Sequence, residues 1–86
     1  NEPGYYLNNK FGIRIENLIS VKRSKSKLEF ETLTLAPIDK DLIDKKNLKQ
    51  KEINWINDYH KKVFRKLRKF INKSEIDEFR LLCSNL

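Results

Sequence analysis

One cysteine, one histidine, two glycines and two prolines are all that 86 residues hold of the types that staple, ligate or break a chain. A single cysteine, Cys83, excludes an internal disulfide framework and a cysteine-based zinc site. So few glycines and prolines exclude a low-complexity linker. No apolar run approaches the eighteen residues or so that a membrane span needs. No signal-peptide pattern is present, and the chain opens at Asn1 rather than at methionine, so it reads as part of something longer. At 10.4 kDa it is one domain at most. Hydrophobic residues make up 38%, charged residues 36%, and the mean hydropathy is −0.73. A chain this short buries only about 60% of its unfolded surface, so one this polar is expected to fold best against a partner surface.

What is abundant is positive charge, and it is unevenly placed. Residues 1–44 carry seven Lys/Arg and seven Asp/Glu, residues 45–73 carry eleven against Glu52 and Asp58, and residues 74–86 carry Arg80 against three acids. The three parts sum to the net +7 as 0, +9 and −2. A basic block of this kind either binds nucleic acid or an acidic membrane, or is the solvated face of a helix. The solvated face is the commoner case.

The hydrophobic period changes along the chain. Tyr5 to Leu7 reads as extended, Asn8 to Lys10 as a tight turn, and Phe11 to Val21 alternates through Ile13, Ile15, Ile19 and Val21. These form a hairpin. Lys22 to Lys27 reads as a polar loop. Leu28 and Phe30 lie on one parity and Leu33 and Leu35 on the other, which predicts a bulge or bend near Glu31 before Pro37 ends the β part. Beyond it Ile53, Ile56, Tyr59, Val63, Leu67 and Phe70 recur every three or four residues, one face of a long helix. Asn47 and Gln50 have capping-box spacing ahead of it, and Ser74 and Asp77 ahead of a short last helix lined by Ile76, Phe79, Leu82 and Cys83. Strands first and helices after is an α+β layout.

If the hairpin pairs symmetrically about residue 9, opposed positions sum to 18. Tyr6 then faces Gly12, Gly4 faces Arg14 and Glu2 faces Glu16. All even positions share one face, which carries Glu2, Tyr6, Arg14 and Glu16; Ile13 and Ile15 lie on the other and read as core. Opposed carboxylates about 5 Å apart at Cβ repel unless a positive group intervenes or one is protonated. Three readings compete: a frayed Glu2 without a role, an ion pair in which Arg14 neutralises both, and a divalent cation held by two hard oxygen donors.

These residues also carry a resemblance. Glu2-Pro3-Gly4-Tyr5-Tyr6 and Phe11-Gly12-Ile13-Arg14-Ile15-Glu16-Asn17 resemble the last stretch of the pita-bread metallopeptidases, and within them the Xaa-Pro aminopeptidases (aminopeptidase P) of eukaryotic type. Thr32-Leu33-Thr34-Leu35-Ala36-Pro37, Ile43-Asp44, Glu52 and Trp55-Ile56-Asn57-Asp58-Tyr59-His60 extend the likeness without a gap to about residue 65, and disfavour prolidase. The resemblance implies the C-terminal part of a pita-bread (creatinase/aminopeptidase-like) catalytic domain over residues 1–86, with 1–37 as strands bearing a metal-ligand hairpin and 38–86 as a helical extension. It implies two divalent metal ions, usually manganese. Glu2 matches the glutamate on one metal and Glu16 the glutamate bridging both; Arg14 and Tyr6 match a hydrogen-bond relay to a metal-binding aspartate. The family's aspartates and metal histidine lie upstream of these motifs, so residues 1–86 would act only with the upstream part of the same enzyme. The implied activity is removal of the N-terminal residue from peptides with proline second, by a cytoplasmic homodimer with no nucleic-acid or membrane partner. The alternative from another class is a non-enzymatic basic α+β module that binds nucleic acid through residues 45–73.

The remaining candidates read as structural. His60 sits between Tyr59 and Lys61 with no carboxylate or thiol cluster at ligand spacing, and a catalytic histidine needs a partner to orient it. Trp55 and Tyr59 read as packing anchors, and Cys83 as a small apolar residue of the last helix. Lys49 stands where relatives place a small capping residue, which leaves Asn47 as the expected cap.

Overall fold

The computed structural model describes residues 1–86 and divides into two compact units, residues 1–34 and 35–86. The first is all β. Strands β1 (Gly4–Leu7) and β2 (Phe11–Arg14) form one antiparallel hairpin, and β3 (Ile19–Ser24) and β4 (Lys27–Thr32) a second. In the first turn Lys10 N–H donates to the Leu7 carbonyl at 3.2 Å and Asn9 takes a left-handed φ of 57°, a conformation asparagine tolerates better than most residues.

The first hairpin has the expected register: Gly4 faces Arg14, Tyr5 faces Ile13, Tyr6 faces Gly12 and Leu7 faces Phe11. Regular pairing stops sooner than the alternation predicts, because Pro3 has no N–H to give back to Ile15. Single bonds nevertheless carry the ladder on. Ile15 N–H donates to the Pro3 carbonyl at 3.1 Å, and Asn1 and Asn17 exchange bonds of 3.1 and 3.2 Å. Residues 15–18 then separate β2 from β3 instead of continuing one strand to Val21. Leu18 extends the second hairpin past its last regular pair, its carbonyl accepting from Leu33 and Thr34 N–H and its own N–H donating to Thr34 Oγ1 at 2.7 Å.

The second hairpin departs from expectation in two ways. The polar loop shrinks to Lys25 and Ser26, with Ser24 opposite Lys27 and a positive φ of 55° at Lys25 alone, the pattern of a two-residue II′ turn. There is also no bulge at Glu31: the register runs unbroken from Ser24↔Lys27 to Ile19↔Thr32. The irregularity lies just beyond the strand, where the successive N–H groups of Leu33 and Thr34 share the Leu18 carbonyl. Ile13 and Ile15, read as core, are 46% and 50% exposed, since a two-stranded ribbon has no second layer of its own to cover that face.

The second unit is an extended segment followed by helices. Helix α1 (Gln50–Leu67) and the short α2 (Ile76–Leu82) bury Tyr59, Val63, Phe79 and Cys83, with Leu35, Ile38, Phe64, Leu67, Ile71 and Ile76 packed around them. The 3.6-residue period places Tyr59 and Val63 on one stripe, as read from the sequence. Phe70 does not join it. The helix ends at Leu67, and residues 68–70 tighten into a 3-10 turn that leaves Phe70 72% exposed.

Both caps also differ. Lys49, not Asn47, is the N-cap of α1, and its N–H is satisfied by Glu52 Oε2 at 2.7 Å. This is the half of a capping box that needs no side-chain acceptor on the cap itself. Asn47 closes the preceding 3-10 turn, donating from Nδ2 to Asp44 Oδ2 at 2.7 Å. Helix α2 starts after Glu75, with no side-chain cap from Ser74.

Candidate metal-binding face

The two glutamates belong to a rung fixed by backbone chemistry. Asn1 and Asn17 exchange bonds and Ile15 donates to Pro3, so the odd rungs are the hydrogen-bonded ones. The even rungs, Tyr6/Gly12, Gly4/Arg14 and Glu2/Glu16, are therefore the non-hydrogen-bonded kind, in which facing side chains come closest. Glu2 and Glu16 accordingly line one open hollow of about 430 Å³, with Asn1, Asn17, Leu18 and Thr34.

Arg14 resolves part of the charge problem. Its Nε lies 3.1 Å from Glu16 Oε2, and both side chains are about half exposed. It pairs with Glu16 alone, so it does not neutralise both carboxylates; Glu16 Oε1 and both oxygens of Glu2 carry no ion pair or hydrogen bond. One arginine next to a carboxylate pair leaves three open oxygens, a donor set that suits a hard divalent cation. No group of three or more His, Cys, Asp or Glu side chains lies together anywhere in the chain. The face thus supplies two ligands, not a complete site.

Tyr6 occupies the next rungs. Its ring lies flat along the even face, from Gly12 to Gly4. A Cβ built on Gly12 would come within 2.8 Å of Tyr6 Cε1, and one on Gly4 within 2.7 Å of its hydroxyl. Tyr6, Arg14, Glu2 and Glu16 therefore share one face, as the parity argument requires. The role of the two glycines was not read from the sequence; only the pairing sum of 18, followed through to which side chain needs the space, could have pointed to it.

The second unit holds the other polar candidates. His60 is fully buried, and its Nε2 accepts from Ile38 N–H at 3.0 Å. Burial first, and then the Lys40 charge, push its pKa below the ordinary 6.5. The Tyr59 hydroxyl donates to the Ala36 carbonyl at 2.9 Å and accepts from Ala36 N–H at 3.3 Å. These two side chains pin the extended segment 36–38 on α1, the structural role expected of both. Trp55 stacks on Tyr59 with parallel rings 5.5 Å apart. Burial raises the Cys83 pKa, which leaves an inert buried thiol. Lys40 was not singled out by the sequence. It donates to the Leu81 carbonyl at 2.7 Å and to the Ser84 carbonyl and hydroxyl at 3.1 and 2.5 Å, closing the C-terminal end of α2. No local pattern announces a cap that arrives from forty residues away.

The family model described as the C-terminal region of peptidase_M24 matches residues 26–82. The chain belongs to this family. Probable Xaa-Pro aminopeptidase P of Phaeosphaeria nodorum is 46% identical over 83 residues, covering 87% of this chain and 13% of that protein. Its counterpart in Pyrenophora teres f. teres is 43% identical over the same coverage. Among solved structures, the X-prolyl aminopeptidase from Caenorhabditis elegans, described as a cytosolic enzyme with a di-nuclear active site, superposes with a TM-score of 0.75 at 38% identity. That match covers 99% of this chain and 15% of the neighbour. The fold is therefore the C-terminal part of a pita-bread aminopeptidase: antiparallel strands, a long helix and a short one. The chain spans about an eighth of the length of these M24 relatives.

Proposed function

We propose that residues 1–86 form the C-terminal segment of the catalytic domain of a metal-dependent Xaa-Pro aminopeptidase, one that removes the N-terminal residue from peptides with proline in second position. Residues 1–37 bring the ligand hairpin and residues 38–86 a helical extension. Glu2 would hold one divalent ion and Glu16 would be a ligand shared by two. The remaining ligands come from the upstream part of the same enzyme, which works as a cytosolic homodimer with manganese. The observation that carries this reading is the Glu2/Glu16 rung, where two carboxylates face one hollow and a single arginine engages one of their four oxygens.

Bound metal of this kind supplies a nucleophile at neutral pH and polarises the scissile carbonyl. The chain's own contribution is orientation. Arg14 holds Glu16 by one oxygen and leaves the other unpaired. Tyr6 lies along the same face, its hydroxyl at the Gly4/Arg14 rung, two residues along the strand from the Glu2/Glu16 rung. Both side chains fit a hydrogen-bond relay to a ligand carboxylate, and such partners orient ligands and tune the metal.

The test is Glu16→Gln in the full-length protein, with Mn2+ binding followed by calorimetry and Xaa-Pro peptide hydrolysis followed in parallel. Loss of turnover together with loss of at least one Mn2+ equivalent is expected, because the amide keeps the shape and removes the charge. Unchanged stoichiometry and turnover would remove Glu16 from the metal site.

A further inference from the structure

Gly4 and Gly12 face the same ring from two strands. Gly12 stands directly across the ladder from Tyr6, and Gly4 lies two residues before it on β1, so all three are on the even face. The Tyr6 ring fills the groove the missing side chains leave. Its Cε1 lies where it would come within 2.8 Å of a Cβ on Gly12, and its hydroxyl within 2.7 Å of one on Gly4. Neither glycine has a positive φ, so neither is required by backbone conformation. What both supply is clearance. The consequence is directional: the ring extends along β1 from the Tyr6/Gly12 rung to the Gly4/Arg14 rung, which brings the phenol hydroxyl to within two residues of the Glu2/Glu16 rung.

We propose that Gly12, assisted by Gly4, is a positioning residue for the ligand-bearing face: it holds the Tyr6 ring flat on the strands so that the hydroxyl points along the face toward the Glu2/Glu16 rung. This rests on the metal reading given above. An added methyl group at Gly12 evicts the ring instead of breaking the sheet. Tyr6 is 64% exposed within residues 1–86, so nothing in this segment stops its side chain from swinging to another staggered rotamer, and the rungs at Tyr5/Ile13 and Leu7/Phe11 are untouched.

The experiment is a double-mutant cycle in the full-length protein: the parent, Gly12→Ala, Tyr6→Ala, and Gly12→Ala with Tyr6→Ala. Mn2+ affinity by titration calorimetry and kcat on an Xaa-Pro peptide are both read. Gly12→Ala alone is expected to weaken Mn2+ binding or lower kcat by roughly 10-fold or more, the usual effect of losing a ligand-orienting partner. With no ring to evict, the same substitution in the Tyr6→Ala background should change either quantity by no more than about twofold, the scatter of independent sites. Equal losses in both backgrounds, or no loss in the first, overturn the proposal. A Gly12→Ala protein that fails to fold while the double variant folds supports the steric cause; failure of both to fold refutes it. A parent that binds no Mn2+, or a Glu16→Gln protein that binds it as the parent does, defeats the metal reading instead, and is distinguishable because it appears without any change at Gly12.

Discussion

Acidification should release the segment that leads into α1, and His60 is the group that releases it. Nε2 accepts from Ile38 N–H at 3.0 Å, which places the single proton of the neutral ring on Nδ1. Nδ1 is buried and has no hydrogen-bond partner. A second proton on the ring has to go on Nε2, where it faces the Ile38 N–H donor and ends that bond. It also places a cation near Lys40, in a pocket without solvent access. The folded-state pKa accordingly lies below the unfolded 6.5. A depressed histidine pKa means that the stabilising contribution of the neutral ring is complete above pH 6.5 and is lost as pH falls through the lower folded value.

The size of the effect follows from the bond that breaks. A buried donor left without its acceptor costs about 1–3 kcal/mol. The Ile38 amide is only part-buried, so the lower half of that range applies, a change in local opening of roughly 5- to 30-fold. Amide hydrogen exchange on the peptide covering residues 35–40, measured from pH 5 to 7.5 and corrected for intrinsic rates, reads it directly. Protection should fall by that factor toward pH 5 in the parent. His60→Phe, which keeps an aromatic ring in place and removes the acceptor, should be low at every pH. Flat protection in the parent, or full protection at Ile38 in His60→Phe, would refute the argument.

Two further outcomes are expected. Arg14→Ala should lower turnover roughly 10- to 100-fold with little change in Tm, because the Arg14–Glu16 pair is half exposed and such pairs contribute at most about 1 kcal/mol; unchanged kcat would remove Arg14 from the mechanism. Val63→Ala should destabilise the protein by about 2 kcal/mol, since two methyl groups leave a fully buried position between the helices, and a chemical-denaturation midpoint equal to that of the parent would show that the core there relaxes without loss.

The helical part was legible where burial follows period. Tyr59 and Val63 are buried because a 3.6-residue repeat brings them to one stripe, and Phe79 and Cys83 face that stripe from α2. Phe70 fits the same arithmetic and is exposed, because periodicity assumes the helix continues and the chain tightens three residues earlier. The caps failed for a related reason. Capping-box spacing at Asn47/Gln50 and Ser74/Asp77 is local, but the start of a helix is decided by which residue turns extended, and Lys49 does so with its N–H taken by Glu52. A spacing rule cannot distinguish two candidates two residues apart when both have a workable partner.

The candidate site was legible for a different reason. A hairpin has one free parameter, its register, and once the turn is placed at Asn8 to Lys10 every facing pair is determined. Glu2 opposite Glu16, and Tyr6 and Arg14 on the same face, needed no knowledge of packing. What parity cannot supply is direction along a face. It puts Tyr6 opposite Gly12 but does not say that the ring turns back over Gly4, and it puts Arg14 beside two carboxylates without choosing Glu16. Those choices depend on side-chain torsions, and torsions depend on which neighbours leave space. The two glycines, unremarkable in composition, therefore decide where the ring on this face lies, which the charged residues that mark it do not. Removing a charge deletes one donor, whereas adding a methyl group at Gly12 re-aims an entire side chain.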